Sequence, residues 1–207
     1  PSNPTGRVHS DAEIESVIDW SRKHSIPIAS DECYLPFPDS KKAKSILEIA
    51  AGDNSGLIAL HSLSKRSNLA GYRAAFAIGD IEIIRRLLEI RKHMGMMVPL
   101  PIQRAMAVAL GDESHVQEQA ERYRQRRKLL VGALQEIGYT VDHSESGLYI
   151  WCSHGDEDWN SVSWFADRGV IVTPGSFYGD SGKRHIRVAL TATDENISEV
   201  AKRIRAS

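Results

Sequence analysis

The sequence predicts an α/β fold followed by a smaller α+β portion, and three patterns carry that expectation. Apolar runs at residues 26–29, 57–60 and 74–78 have the length of buried strands, and they alternate with stretches whose apolar residues recur at helical intervals. A charged stretch from 113 to about 137 is long enough to be a helix bridging two domains. Beyond it the order reads strand, helix, strand, strand, helix, which suits a small α+β domain. The boundaries expected are 1–112 for a large domain and 113–207 for the connecting helix and small domain.

Taken in order, Ser10-Asp11-Ala12-Glu13 has the spacing of a capping box, so a helix starts there, and Ile14, Val17 and Ile18 recur at helical intervals up to about His24. The run at 26–29 is expected as a buried strand ending at Asp31. The run at 57–60 ends just before Ser62 and Lys65, and the run at 74–78 precedes a helix that opens at Asp80 with Ile83, Ile84, Leu87 and Leu88 on its apolar side. Helices alternating with short buried strands imply a parallel sheet, and such sheets collect ligands at the carboxyl ends of their strands. Asp31 and Lys65 both fall there. Met94, Met96, Met97, Pro99 and Pro101 crowd a segment unsuited to an unbroken helix. Small residues around 105–109 make another helix. The long charged helix is stopped by Gly138. A strand at 148–151, a helix at 158–168, strands at 170–172 and 186–190 and a helix at 194–205 complete the chain.

At 207 residues, 42% hydrophobic and 26% charged, the chain has material for one sizeable core or two small ones. A formal net charge of −1 gives no hint of nucleic-acid binding. The one dense basic cluster, Arg122, Arg124, Arg126, Arg127 and Lys128, sits at helical spacing from Glu118 and Glu121 and reads as a charge-laced helix face. Two cysteines, Cys33 and Cys152, lack CxxC spacing, which argues against a disulfide framework or zinc and fits a reducing cytoplasm. No apolar run reaches the roughly twenty residues that span a bilayer. The eight histidines show no HExxH or His-x-His spacing, so no catalytic metal is expected. Gly179-Asp180-Ser181-Gly182 looks like a serine-protease nucleophile region, but that chemistry belongs on paired β-barrels, and Pro174-Gly175-Ser176-Phe177 reads as a turn.

The candidate chemistry centres on Lys65 in Ser62-Leu63-Ser64-Lys65, eight residues before Arg73. A lysine amine can condense with an aldehyde, hydroxyls and a guanidinium can take a phosphate, and a carboxylate can face a pyridine nitrogen. Lys65, Ser62, Ser64, Arg73 and Asp31 supply those groups, and together they suit pyridoxal 5'-phosphate. Ser62, at a strand end, is also placed to cap the following turn. In His185-Ile186-Arg187-Val188, alternation turns Arg187 away from the face of Ile186 and Val188.

Asn3-Pro4-Thr5-Gly6, then Asp31 with Tyr34, then Ser62-Leu63-Ser64-Lys65 and Gly71-Tyr72-Arg73, in this order, resemble the fold-type I aminotransferases of class I/II. The resemblance implies the PLP-dependent transferase fold, with this chain as the C-terminal part of the large, mainly parallel-sheet domain plus the small domain. It implies that the first part of such a subunit lies outside these residues, so that the chain alone turns over poorly. It assigns Asn3 and Tyr34 to the cofactor's 3-oxygen, Lys65 to proton transfer, and Arg187 to the substrate α-carboxylate. It further implies amino acid and 2-oxo acid substrates, a homodimer and a cytoplasmic location. Residues 62–73 look most like the succinyldiaminopimelate aminotransferases of lysine synthesis, with glutamate and 2-oxoglutarate as the amino-group pair. Alanine, aspartate or aromatic specificity, a lyase on the same scaffold, and a non-enzymatic cofactor-binding domain of a transcription regulator are the alternatives.

Overall fold

The computed structural model describes residues 1–39 and 42–206. Contacts divide the chain into two units. One comprises His9–Pro36 and Ala43–Gln117, and is built on three strands; the other comprises Pro1–Val8, Phe37–Lys42 and Glu118–Ser207, and is built on four.

The three-stranded unit opens with α1 (Asp11–His24), and the capping box is present: Ser10 Oγ accepts from Glu13 N at 3.3 Å while Glu13 Oε2 accepts from Ser10 N at 2.7 Å. Ser25, in the left-handed region, ends the helix. Next come β1 (Ile28–Asp31), the single turn α2 (Ile46–Ile49), β2 (Leu57–Ser62), the single turn α3 (Leu63–Arg66) and β3 (Ala75–Gly79). Ile18 of α1, Ile46 of α2, and Leu57 and Ala59 of β2 form its buried core. Removing each large side chain from water contributes roughly 1.5–3 kcal/mol.

Two expectations need correction here. β1 pairs parallel with β2, Asp31 opposite Leu60, but β3 pairs antiparallel, Ser62 opposite Ala75, so the sheet is mixed. The link from β2 to β3 holds only one α-turn and a short 3-10 turn at Ala70–Tyr72, with no crossover helix to carry the chain back along the sheet. β1 is also not buried throughout, because Ala29 and Asp31 face outward while Ile28 and Ser30 are half-buried. Gly79 closes the return: at φ +143 its Cα passes so near β2 that a Cβ would stand 2.1 Å from Leu57 O.

Asp80 caps α4 (Ile81–His93), accepting from Glu82 N at 2.8 Å and Ile83 N at 3.1 Å. The expected break follows, with Gly95 at φ +70, and α5 (Leu100–Leu110) then takes Pro101 into its first turn, where a missing N–H leaves no helical bond unmade. α6 (Ser114–Glu136) begins in this unit and continues in the other, and Gly138 at φ +90 follows its end.

The four-stranded unit adds β4 (Thr140–Val141), β5 (Tyr149–Ser153), α7 (Asp158–Ala166), β6 (Thr173–Pro174), β7 (Ile186–Ala189) and α8 (Asp194–Arg205), with the strands in the order β4-β5-β7-β6, all antiparallel. Leu130, Leu134, Ile150, Phe165, Ile186 and Ile204 fill its core. The strand expected at 170–172 is not one. Its alternation is right, since Val170 and Val172 are buried and Ile171 is 97% exposed, but ladder pairing starts only where Thr173 meets Arg187. The basic cluster works inside this unit: Arg122 pairs with Glu118 at 2.8 Å and Arg124 with Glu121, while Arg126 donates to Leu190 O and Arg127 to Ser144 Oγ and Tyr149 O. Residues 175–178 and 180–182 form successive 3-10 turns. Among the described residues no helix is long and apolar enough to cross a membrane, and no three His, Cys, Asp or Glu side chains gather as metal ligands.

Candidate active site

In the three-stranded unit the candidate residues gather at one end of the sheet. Parallel pairing puts the carboxyl ends of β1 and β2 side by side, so Asp31 and Ser62, the last residues of those strands, share an edge. The antiparallel return brings the start of β3 to that edge, and Arg73 stands just before it. Leu63, only 1% exposed, roots the lysine turn in the core and donates its N–H to Ala74 O at 3.2 Å. Arg73 is left-handed at φ +50, with Nη1 donating to Ala70 O at 2.9 Å.

Ser62 is the N-cap of α3, accepting from Ser64 N at 3.1 Å, with its Oγ also 3.4 Å from Ala74 O. Its hydroxyl is thus engaged in the local turn, whereas Ser64 and Lys65 follow it half-buried. Among the described residues Lys65 Nζ has no hydrogen bond or ion pair. Asp31 Oδ1 accepts from Cys33 N at 3.1 Å, and Tyr34 lies in the turn at 33–36 that follows β1. The Cys33 thiol reports on this neighbourhood. Burial first, then its hydrogen bond to Asp31 and the Asp31 charge, push it up to about 12, and the Lys65 charge opposes them. The acid and the amine therefore both act on one side chain.

In the four-stranded unit, the Asn3-Pro4-Thr5-Gly6 turn is fastened to residues 144–146. Ser144 N donates to Thr5 O at 2.9 Å, Ser146 N to Gly6 O at 3.1 Å, and Val8 N to Glu145 Oε2 at 2.7 Å. Gly6 is required at φ +70, where a Cβ would stand 2.7 Å from Ser146 O. So held, Asn3 Oδ1 accepts from Arg187 Nη1 at 3.0 Å, and Arg187 Nη2 reaches Thr173 Oγ1 at 3.4 Å. The guanidinium lies 4.0 Å from the Tyr149 ring centre and 5.3 Å from that of Tyr178. Among the described residues its Nε is buried and without a hydrogen-bond partner, an orphaned donor of the kind a bound carboxylate satisfies.

The donor set of the three-stranded unit fits the expected cofactor: an unpaired amine for an aldehyde, a guanidinium and the Ser64 hydroxyl for a phosphate, and a carboxylate with one oxygen held by Cys33 for a ring nitrogen. Sequence reasoning missed Cys33, and it missed Thr173, Tyr149 and Tyr178 around Arg187. Tyr149 sits diagonally from Arg187 across β5 and β7, a neighbour set by strand register, which the sequence does not print.

Comparison with known proteins identifies the family. A profile of the family described as Aminotransferase class I and II matches residues 1–204. "Probable aminotransferase Rv1178" of Mycobacterium tuberculosis is 49% identical over 206 residues, covering 99% of this chain and 49% of that protein. The "4-dedimethylamino-4-oxo-anhydrotetracycline transaminase OxyQ" of Streptomyces rimosus is 46% identical, covering 99% of this chain and 57% of that protein. This chain therefore spans about half the length of the curated relatives it matches. A solved structure described as a probable N-succinyldiaminopimelate aminotransferase from Thermus thermophilus superposes with a TM-score of 0.90 at 31% identity, covering 100% of this chain and 56% of that one.

Proposed function

This chain belongs to the class I and II aminotransferases, whose cofactor is pyridoxal phosphate, and from that premise we propose that its whole protein moves an amino group between an amino acid and a 2-oxo acid. The observation that carries the proposal is the gathering of Asp31, Lys65 and Arg73 at one sheet end. When bound, the cofactor supplies an aldehyde that accepts the amino group and a ring that takes up electrons from the substrate α-carbon.

The chain's residues do the rest. Lys65 Nζ would hold the cofactor, and as a free amine it would carry a proton at the substrate α-carbon. Asp31 would pair with the ring nitrogen and favour its protonated form. Arg73 and Ser64 hold the phosphate, with Ser62 contributing through its cap. Asn3, its Oδ1 taken by Arg187, has its amide N–H groups left to donate to the 3-oxygen, and Tyr34 shares that role. Arg187 meets the substrate α-carboxylate in a fork.

As substrate we put forward succinyldiaminopimelate, with glutamate and 2-oxoglutarate as the amino-group pair. Residues 62–73 and the likeness to the Thermus structure support it. The Streptomyces relative favours a second reading, amination of a ketone on a polycyclic acceptor, in which Arg187 serves only the amino-donor half-reaction. The complete protein is proposed to be a cytoplasmic homodimer. The test is to mix the cofactor-loaded full-length protein with amino donors and follow conversion of the bound cofactor to its amine form by absorbance. Fastest conversion with succinyldiaminopimelate and glutamate is expected. Conversion by glutamate alone moves the protein to the second reading, and conversion by no donor leaves a cofactor-binding domain without turnover.

A further inference from the structure

Lys65 sits in a helix of one turn, and one turn does not hold itself, because nucleation fixes more dihedrals than its few hydrogen bonds offset. On its leading side the turn is rooted by Leu63. On its trailing side the two residues after the lysine reach the junction between α5 and α6. Arg66, its side chain 12% exposed, donates from Nη1 to Ala109 O at 2.8 Å and pairs through Nη2 with Glu113. Ser67 Oγ lies 2.9 Å from His115 Nε2, and His115 Nδ1 lies 3.0 Å from Asp112 Oδ2. Hydrogen bonds from Ser114, then from His115, hold the Asp112 carboxyl down to about 2, so it is an anion at neutral pH. It therefore draws the imidazole proton to Nδ1 and leaves Nε2 to accept from the Ser67 hydroxyl.

We propose that His115 and Arg66 are positioning residues for Lys65, clamping the two residues behind the lysine and so fixing where its amine meets the cofactor. The proposal rests on the functional reading above. Ser67, His115 and Asp112 also match the contacts of a nucleophilic triad, but the nearby N–H groups of Ser67 and Leu69 both donate to Leu63 O and are not free to stabilise an oxyanion. The contacts hold the turn in place.

The test uses the cofactor-loaded full-length protein, with visible circular dichroism of the bound cofactor and its release rate as readouts. His115→Ala and Arg66→Ala are expected to weaken the dichroic band and speed release about tenfold, the upper end of what one lost hydrogen bond contributes. His115→Gln, whose amide can reach Ser67 as Nε2 does, is expected to restore most of both. Unchanged signals in His115→Ala, or a Gln variant no better than Ala, would overturn the clamp. If His115→Ala fails to fold, Ser67→Ala removes only the hydroxyl and must still speed release; no change there overturns it as well. Labelling of Ser67 by a fluorophosphonate would mark it a nucleophile and also overturn the proposal. Lys65→Ala separates the two claims: covalent attachment that survives in it defeats the functional reading beneath, whereas its loss alongside an unaltered His115→Ala defeats the clamp alone.

Discussion

Arg187 shows how one side chain can be both legible and incomplete in a sequence. Alternation along residues 186–190 turns it away from the core face, but its two aromatic neighbours and its bond to Asn3 come from strands and turns far away in sequence. Arg187→Ala should lower kcat/KM for amino acids roughly 10- to 100-fold, since a charge-assisted hydrogen bond contributes about 1.5–3 kcal/mol. Arg187→Lys should recover little, because an ammonium has no fork. Steady-state kinetics on the full-length protein check both, and a lysine variant at full activity would remove the carboxylate role. Cys33 makes a second residue-scale prediction. With its thiol pushed up to about 12, it stays protonated at neutral pH, so alkylation of the folded protein should be slow at pH 8 and accelerate only as pH climbs toward that value. Rapid labelling at pH 8 would contradict the burial of the thiol beside Asp31. Lys65, Asp31 and Arg73 stand out as candidates in the sequence because their motifs are local and ordered. Ser67 and His115 were not, since 48 residues separate two side chains that only the fold brings together.

At the scale of elements, the readable features were those with a local physical cause. Ser10 and Glu13 announce a capping box and the helix follows; Gly138 announces a stop and α6 ends just before it. Ser10→Ala should cost about 1 kcal/mol, seen as a lower melting temperature. Strand direction was not readable. An apolar run at 74–78 looks the same whether it pairs parallel or antiparallel, and only the shortness of the preceding link decides it. Residues 170–172 failed for a related reason, because alternation reports burial and not the presence of a ladder partner. The Asn3–Gly6 turn is the element whose geometry most constrains a site residue. Gly6→Ala should destabilise the protein by about 2 kcal/mol, from left-handed strain and the close Ser146 carbonyl, and should lower amino-acid affinity through Asn3 and Arg187. A variant with unchanged melting and unchanged KM would show that the turn tolerates a Cβ.

Across the whole molecule, carboxylates set the acid limit. Asp80 is lowered by backbone hydrogen bonds, that from Gly56 first, and Asp112 falls from an ordinary 3.8 to about 2. Groups depressed in the folded state add stability above their ordinary values and lose it as pH falls through the lowered ones, so melting temperature should decline between about pH 4 and pH 2. Asp112→Asn should flatten that decline, and an identical slope would contradict it. The α/β class and the order of motifs were legible along the chain; the division into units was not, because Pro1–Val8 and Phe37–Lys42 join residues beyond 118 through contacts no local pattern announces. The central claim is that the Lys65 amine, the Asp31 carboxylate and the Arg73 guanidinium serve one cofactor. Borohydride reduction of the cofactor-loaded full-length protein, followed by peptide mass mapping, tests it most directly. The account predicts a phosphopyridoxyl group on the peptide containing Lys65, and its loss in Lys65→Ala; a group fixed to another lysine, or to none, would contradict it.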